Sequence, residues 1–366
     1  MKQPLSVKRY EMIAIQMLYA GASAGFIYPN FIIQSTEGAY WIPLAIWTAG
    51  ALASSFLYSR LLARLDGGNM IARIQSALGT WGASLLAAPV LLFLIIALVI
   101  MLRAYTEMIT MTILPTTPIS FLNGMLLAPA ALAFAGMMPI VRAARIFFLL
   151  GFLFTFCLLL IGLSDVKWVL GMPWMRTNGD FLRDKGFYAG SFLWMGFAIT
   201  SFIGTYTRSS AQSAWKSYAF SLLCAFPFIA SYIYLPVMTF GRELSQRLTF
   251  PFISKMDTIT HYWLVFENLT AIFVSAIMFY LLLIMALKLH AIGEMMKIFM
   301  PRANKKILYT CLSLIVYAAA TAIPSWRTVE NMILLTFGCR FYVMFFFPLL
   351  GMLALAYGKK KLEAGE

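Results

Sequence analysis

The sequence predicts an all-α integral membrane protein of about ten transmembrane helices, and three observations predict it. Of 366 residues, 61% are hydrophobic and only 11% charged, with a mean hydropathy of +0.82. An ordinary soluble domain carries about 25% charged residues. Ten intervals of at least 18 residues contain no Asp, Glu, Lys or Arg, and a helix needs roughly 20 apolar residues to cross a bilayer core. The alternating segments of a membrane β-barrel are absent from the sequence. This composition excludes a soluble enzyme, a disordered chain and a nucleic-acid-binding domain, in spite of a net charge of +14.

The first interval, 12–36, follows Lys8-Arg9 and is read as a retained first span, since it is too long for a signal peptide and lacks a small-residue cleavage site. Interval 38–59 gives the second span. Residues 66–80 are amphipathic and predict an interfacial helix leading into the third. The third span starts near residue 74 and runs past Arg103 and Glu107 to about Ile113, because Leu114-Pro115-Thr116-Thr117-Pro118 is a turn. Ile119 to Met138 makes the fourth span, and 146–164 the fifth. Intervals 186–207, 217–241, 268–287, 307–326 and 341–358 supply the remaining five.

Placing both termini in the cytoplasm collects eighteen Lys and Arg on inner segments, Lys288 among them, against eight on outer loops. The positive-inside bias therefore predicts cytoplasmic termini, and the excess charge faces anionic headgroups. Cys157, Cys224, Cys311 and Cys339 all lie in apolar intervals and read as small hydrophobic packers.

Within a single domain, 1–366, spans one to five occupy 11–164 and spans six to ten occupy 186–357. An odd number of spans per half inverts the second half relative to the first. That is the plan of inverted-repeat transporters, whose binding sites are built from discontinuous helices. The leading span of each half is accordingly expected to break. The first holds Gly21-Ala22-Ser23-Ala24-Gly25 before Pro29; the sixth holds Gly190, Trp194-Met195-Gly196-Phe197 and Gly204. Glycine lowers the cost of non-helical backbone, which is tolerated at membrane depth where it lines a cavity. Gly21 to Gly25 with Trp194, Gly196 and Phe197 are the candidate binding residues. The same small residues would equally permit close helix packing.

Few polar residues interrupt the spans. Arg103 and Glu107 stand four apart on one helix face. They form either an intrahelical pair that locks the third span or a gate above the cavity. Glu267 and Arg340 are further candidate partners, and Glu11 suits the positive end of the first helix. His261 and His290 are distant in sequence and have no ligand spacing around them. No nucleophile or phosphate-loop motif is present. Neither enzyme activity nor a metal or cofactor is expected.

Leu102-Arg103-Ala104-Tyr105-Thr106-Glu107, with Ile113-Leu114-Pro115-Thr116-Thr117-Pro118, resembles the signature of GerAB-type spore germination permeases. These are the B subunits of nutrient germinant receptors, within the APC superfamily of amino acid permeases. Pro251-Phe252-Ile253-Ser254-Lys255-Met256-Asp257 looks like a second signature, and the small-residue break ending at Pro29 like a third. The resemblance implies an APC-type 5+5 inverted repeat with first and sixth helices broken. It also implies a small nutrient ligand, an A-type membrane subunit and a C-type lipoprotein as partners, and the inner membrane of an endospore. Members often carry Gly-aromatic-Glu in the sixth helix, whereas Ala198 follows Gly196-Phe197 here. An amino acid transporter driven by protons or cations and a scaffold with a vestigial cavity are the other readings.

Overall fold

Helices that are apolar all round must be buried in lipid or against one another, and this chain packs as a helical bundle. The computed structural model describes residues 9–65, 68–163, 165–203, 207–259 and 269–363. Gly204, His261 and Glu267, all singled out above, lie outside the described residues, as do 66–67 at the start of the amphipathic stretch.

Helices α1 (Arg9–Ala24) and α2 (Tyr28–Ser35) meet at a 58° bend and form one broken span. α3 (Trp41–Leu62) is the second span. α4 (Met70–Thr112) begins with the expected amphipathic leg and turns at Gly79, φ 75°, into the third span. Asn69 caps it by accepting from the amides of Ile71 and Ala72. Thr112 ends it, just before the anticipated proline turn.

α5 (Ile119–Ala135) is short, and Gly136 at φ 108° turns the chain straight into α6 (Met137–Gly162). α7 (Lys185–Ala189) tightens into a 3-10 turn, Gly190–Trp194, and gives way at Met195 to α8 (Gly196–Ser201). α9 (Arg208–Phe240) leads to two short helices, α10 (Arg242–Arg247) and α11 (Pro251–Asp257). Then come α12 (Leu269–Phe299), α13 (Lys305–Ala322) and α14 (Trp326–Leu335). The last span is α15 (Phe337–Phe341), a π-helical turn Tyr342–Phe346, and α16 (Phe347–Glu363).

Seven of these segments are long and apolar enough to cross a membrane, and the bent α1–α2 pair makes an eighth. The shorter α5 and the broken α7–α8 lie where the sequence places the fourth and sixth spans. The chain is an all-α, multi-pass membrane protein. α1 lies centrally, packed on α9, α6 and α12, while α12 also packs on α4.

Two boundaries differ from the sequence reading. The fifth span starts at Met137, so Arg142 and Arg145 belong to its first turns. The eighth does not stop before Lys288: α12 continues to Phe299 with Lys288 only 4% exposed inside it. A charge ends a span only when it must face lipid, and this one faces protein.

A candidate binding cavity at the helix breaks

Each break in a span frees backbone carbonyls that need a donor at membrane depth. Tyrosines supply it in the sixth span. The Tyr19 hydroxyl of α1 donates to the Phe192 carbonyl at 3.1 Å, and the Tyr218 hydroxyl of α9 to that of Trp194 at 3.0 Å. The π-helical turn of the tenth span is served in the same way. Tyr58 and Ser54 of α3 donate to the carbonyls of Val343 and Met344 at 2.7 and 2.8 Å. The breaks are thus fixed by side chains from other helices.

Between them lies a cavity of about 70 Å³. Tyr19, Ala22, Ser23, Phe26 and Ile27 line it from the first span; Phe192, Met195 and Ile199 line it from the sixth. α4 closes one wall with Phe93, Ile100 and Ala104 among others; α12 contributes Leu281 and Lys288. Ile333 of α14, Thr336 at the junction and Arg340 of α15 complete it. Both predicted breaks therefore border one cavity.

The candidate residues divide. Ala22 and Ser23 line this cavity, and the buried Ser23 hydroxyl has no hydrogen-bond partner among the described residues. Gly21 lines a second, apolar cavity with Phe152, Thr155 and Tyr280. Ala24 is buried, and a Cβ on Gly25 would stand 2.8 Å from Ile277, so Gly25 permits packing against α12. Trp194 packs edge-on against Tyr28, and Phe197 against Tyr58 and Tyr218. A Cβ on Gly196 would lie 2.2 Å from the Gln16 amide oxygen. Gln16 itself donates to Thr200 at 3.2 Å, tying α1 to α8.

Arg103 and Glu107 form the expected ion pair. Arg103 is 2% exposed, and its Nε also donates to the Ile323 carbonyl at 3.0 Å, just past the end of α13. Beside it, Thr106 donates to Asn123, and Asn123 to Thr321. The pair thus sits in a polar seam joining α4, α5 and α13, one residue away from the cavity-lining Ala104. Arg340 donates to the Ile333 carbonyl at 2.7 Å and to Thr336 at 3.4 Å, while its Nε is unbonded.

Sequence reasoning counted Lys288 as a topological charge and did not single out Tyr19, Phe192 or Thr336. A lysine set between apolar residues on both sides, Ala286-Leu287 and Leu289, was the available signal for the first. At the other end of α1, Glu11 pairs with Arg145 of α6.

A family model described as spore germination protein matches residues 7–328. Among solved structures, the chain resembles a nucleobase-cation-symport-1 family transporter in a closed conformation with bromovinylhydantoin bound. The TM-score is 0.59 at 14% identity, over 89% of this chain and 74% of that one. At such identity the likeness shows the fold alone. No curated protein sequence matches the chain.

Proposed function

The chain belongs to the spore germination protein family, and from that premise we propose that it is the permease-like B subunit of a nutrient germinant receptor. In this reading a small nutrient, an amino acid in the simplest case, binds in the central cavity and shifts the packing of the two broken spans. An A-type membrane subunit and a C-type lipoprotein relay that shift, in the inner membrane of the spore. Both termini face the cytoplasm, and 11–164 and 186–357 act as inverted five-helix repeats. Binding, with no bond made or broken, is the whole of its chemistry, so the protein is not an enzyme.

The observation that carries the proposal is one cavity bordered by both helix breaks, in a chain of this family. The carbonyls at the sixth-span break are held by hydroxyls from α1 and α9, so a ligand that favours another packing of that break shifts its population. Arg103 and Glu107 stand beside the cavity wall as a gate. Deleting the gene and testing spores against single nutrients checks the reading: response to at least one nutrient must disappear and return with the restored gene.

The transporter-like fold favours a second reading, secondary transport of an amino acid coupled to protons or cations. Uptake of labelled amino acids by proteoliposomes separates the two. Binding without uptake supports the receptor; uptake driven by an ion gradient supports the transporter.

A further inference from the structure

We infer that the central cavity is an anion site: it takes a small organic acid whose negative charges outnumber its positive ones, the acidic group held by Lys288 and Arg340. This rests on the cavity being the ligand site proposed above.

Two cations line the cavity, and among the described residues no Asp or Glu does. Lys288 is 4% exposed and Arg340 2%. The described ion pairs, Arg103–Glu107 and Arg145–Glu11, involve neither. Arg340 spends two nitrogens on a carbonyl and a hydroxyl and leaves Nε unbonded. Lys288 has no hydrogen bond among the described residues; its ammonium stands 6.0 Å over the ring of Tyr19. Tyr19, Lys288 and Arg340 all line the same cavity.

Buried charges without counter-charges are strongly disfavoured and are kept where function needs them. An anion arriving with the ligand satisfies both at once. A planar guanidinium and a point-charge ammonium form a natural clamp for a carboxylate. The Ser23 hydroxyl, without a hydrogen-bond partner among the described residues, adds a donor to the same lining.

Size and charge narrow the class further. At roughly 10–15 Å³ per water-sized group, a cavity of about 70 Å³ holds about five to seven such groups, which suits a three- or four-carbon acid. An ammonium on the ligand would meet two cations and thirteen apolar residues, with no described carboxylate to receive it. A neutral amino acid, the simplest case of the nutrient proposed above, is a zwitterion and therefore a poorer ligand than an acid without the ammonium.

The full-length protein in nanodiscs tests this by thermal unfolding with propionate, L-lactate, L-alanine, propionamide, L-alaninamide and chloride. Propionate or L-lactate is expected to raise Tm, the two amides to leave it unchanged, and L-alanine to need roughly tenfold more for the same shift. Lys288→Met should raise the ligand-free Tm, because it removes an uncompensated charge, and should abolish the carboxylate shift. Lys288→Arg should keep the shift. No shift with either carboxylate, a shift with chloride alone, or equal shifts with the amides overturns the inference. So does a Lys288→Met protein with a lowered ligand-free Tm, since Lys288 would then be paired structurally. Spores lacking the gene keep the two claims apart. Unchanged nutrient responses beside a carboxylate-selective protein sink the receptor reading alone; lost responses beside an unselective protein sink the anion site alone.

Discussion

The Tyr218 hydroxyl donates to the Trp194 carbonyl at 3.0 Å, across the gap that opens at Met195 in the sixth span. Water is not available there to take over the bond, because Tyr218 is 2% exposed. Tyr218→Phe keeps the ring and removes the donor, leaving a buried carbonyl unsatisfied at a cost of about 1–3 kcal/mol. The expected outcome is a lowered unfolding temperature in nanodiscs with the fold retained. An unchanged temperature means that the break does not depend on this bond.

Ser23 and Gly196 separate cavity from scaffold. Ser23→Ile fills space on the cavity wall, so nutrient response should disappear while membrane abundance stays normal. Gly196→Ala drives a methyl against Gln16, whose amide holds α8 through Thr200. Overpacking of this kind costs about 1–3 kcal/mol, so abundance itself should fall. Truncating the obstacle with Gln16→Ala in the same chain should recover part of it. Comparing immunoblot and germination assay distinguishes the two lesions.

Much of the fold was legible because lipid makes charge placement a strict rule. Charge-free intervals located the seven long apolar helices and the bent α1–α2 pair, and Leu114 to Pro118 marked a turn within two residues of the end of α4. The breaks at Gly25 and Met195 were legible from small residues in the leading span of each half. The site was less so. A glycine cluster says that backbone bends there, but not which side chains face inward: Gly21, Gly25 and Gly196 accommodate neighbours, and Phe26, Met195 and Ile199 line the cavity. Lys288 escaped because a lysine near a span end snorkels to the interface in most helices. Its burial follows from the position of α12 beside α1 and α4, which one-dimensional charge counting does not contain.

Arg103 and Glu107 should behave as partners with unequal shares. Breaking a buried pair by removing one member costs about 3–5 kcal/mol. Arg103→Gln also loses the bond to Ile323, so it should destabilise more than Glu107→Gln. The double change should cost less than the sum of the singles by more than about 0.5 kcal/mol. Exchanging the two residues should recover the pair but not the Ile323 bond, and therefore only part of the stability. Thermal unfolding of the four proteins checks this; plain additivity means the two charges have other partners.

Glu11 and Arg145 fasten the base of α1 to α6. Arg145 is 44% exposed, so the pair contributes at most about 1 kcal/mol to stability. Its expected effect is on access, because α1 carries the cavity-lining Ser23. In a Ser23→Cys protein, Arg145→Ala should speed labelling by a water-soluble maleimide several-fold. Cys157, Cys224, Cys311 and Cys339 are all outside the cavity lining and are replaced by alanine for the experiment. An unchanged labelling rate places the closure elsewhere.

Lys255 lies in α11, outside the spans, fully buried, and its amine has no hydrogen-bond partner among the described residues. Burial pushes the amine below the ordinary lysine value of 10.5, and the nearby Asp165 carboxylate partly opposes that shift. A lysine depressed in the folded state binds fewer protons folded than unfolded between the two values. Stability therefore rises with pH through that window and levels off above 10.5. At neutral pH the fold carries the unfavourable cost of either charging the buried amine or neutralising it. Lys255→Met keeps the length of the side chain and removes that cost. The variant is expected to unfold at a higher temperature than the wild type near pH 7, with the advantage shrinking steadily as pH climbs toward about 10. A difference that stays constant over the same range would mean that the two side chains differ in packing alone, and that proton binding at Lys255 has no part in it.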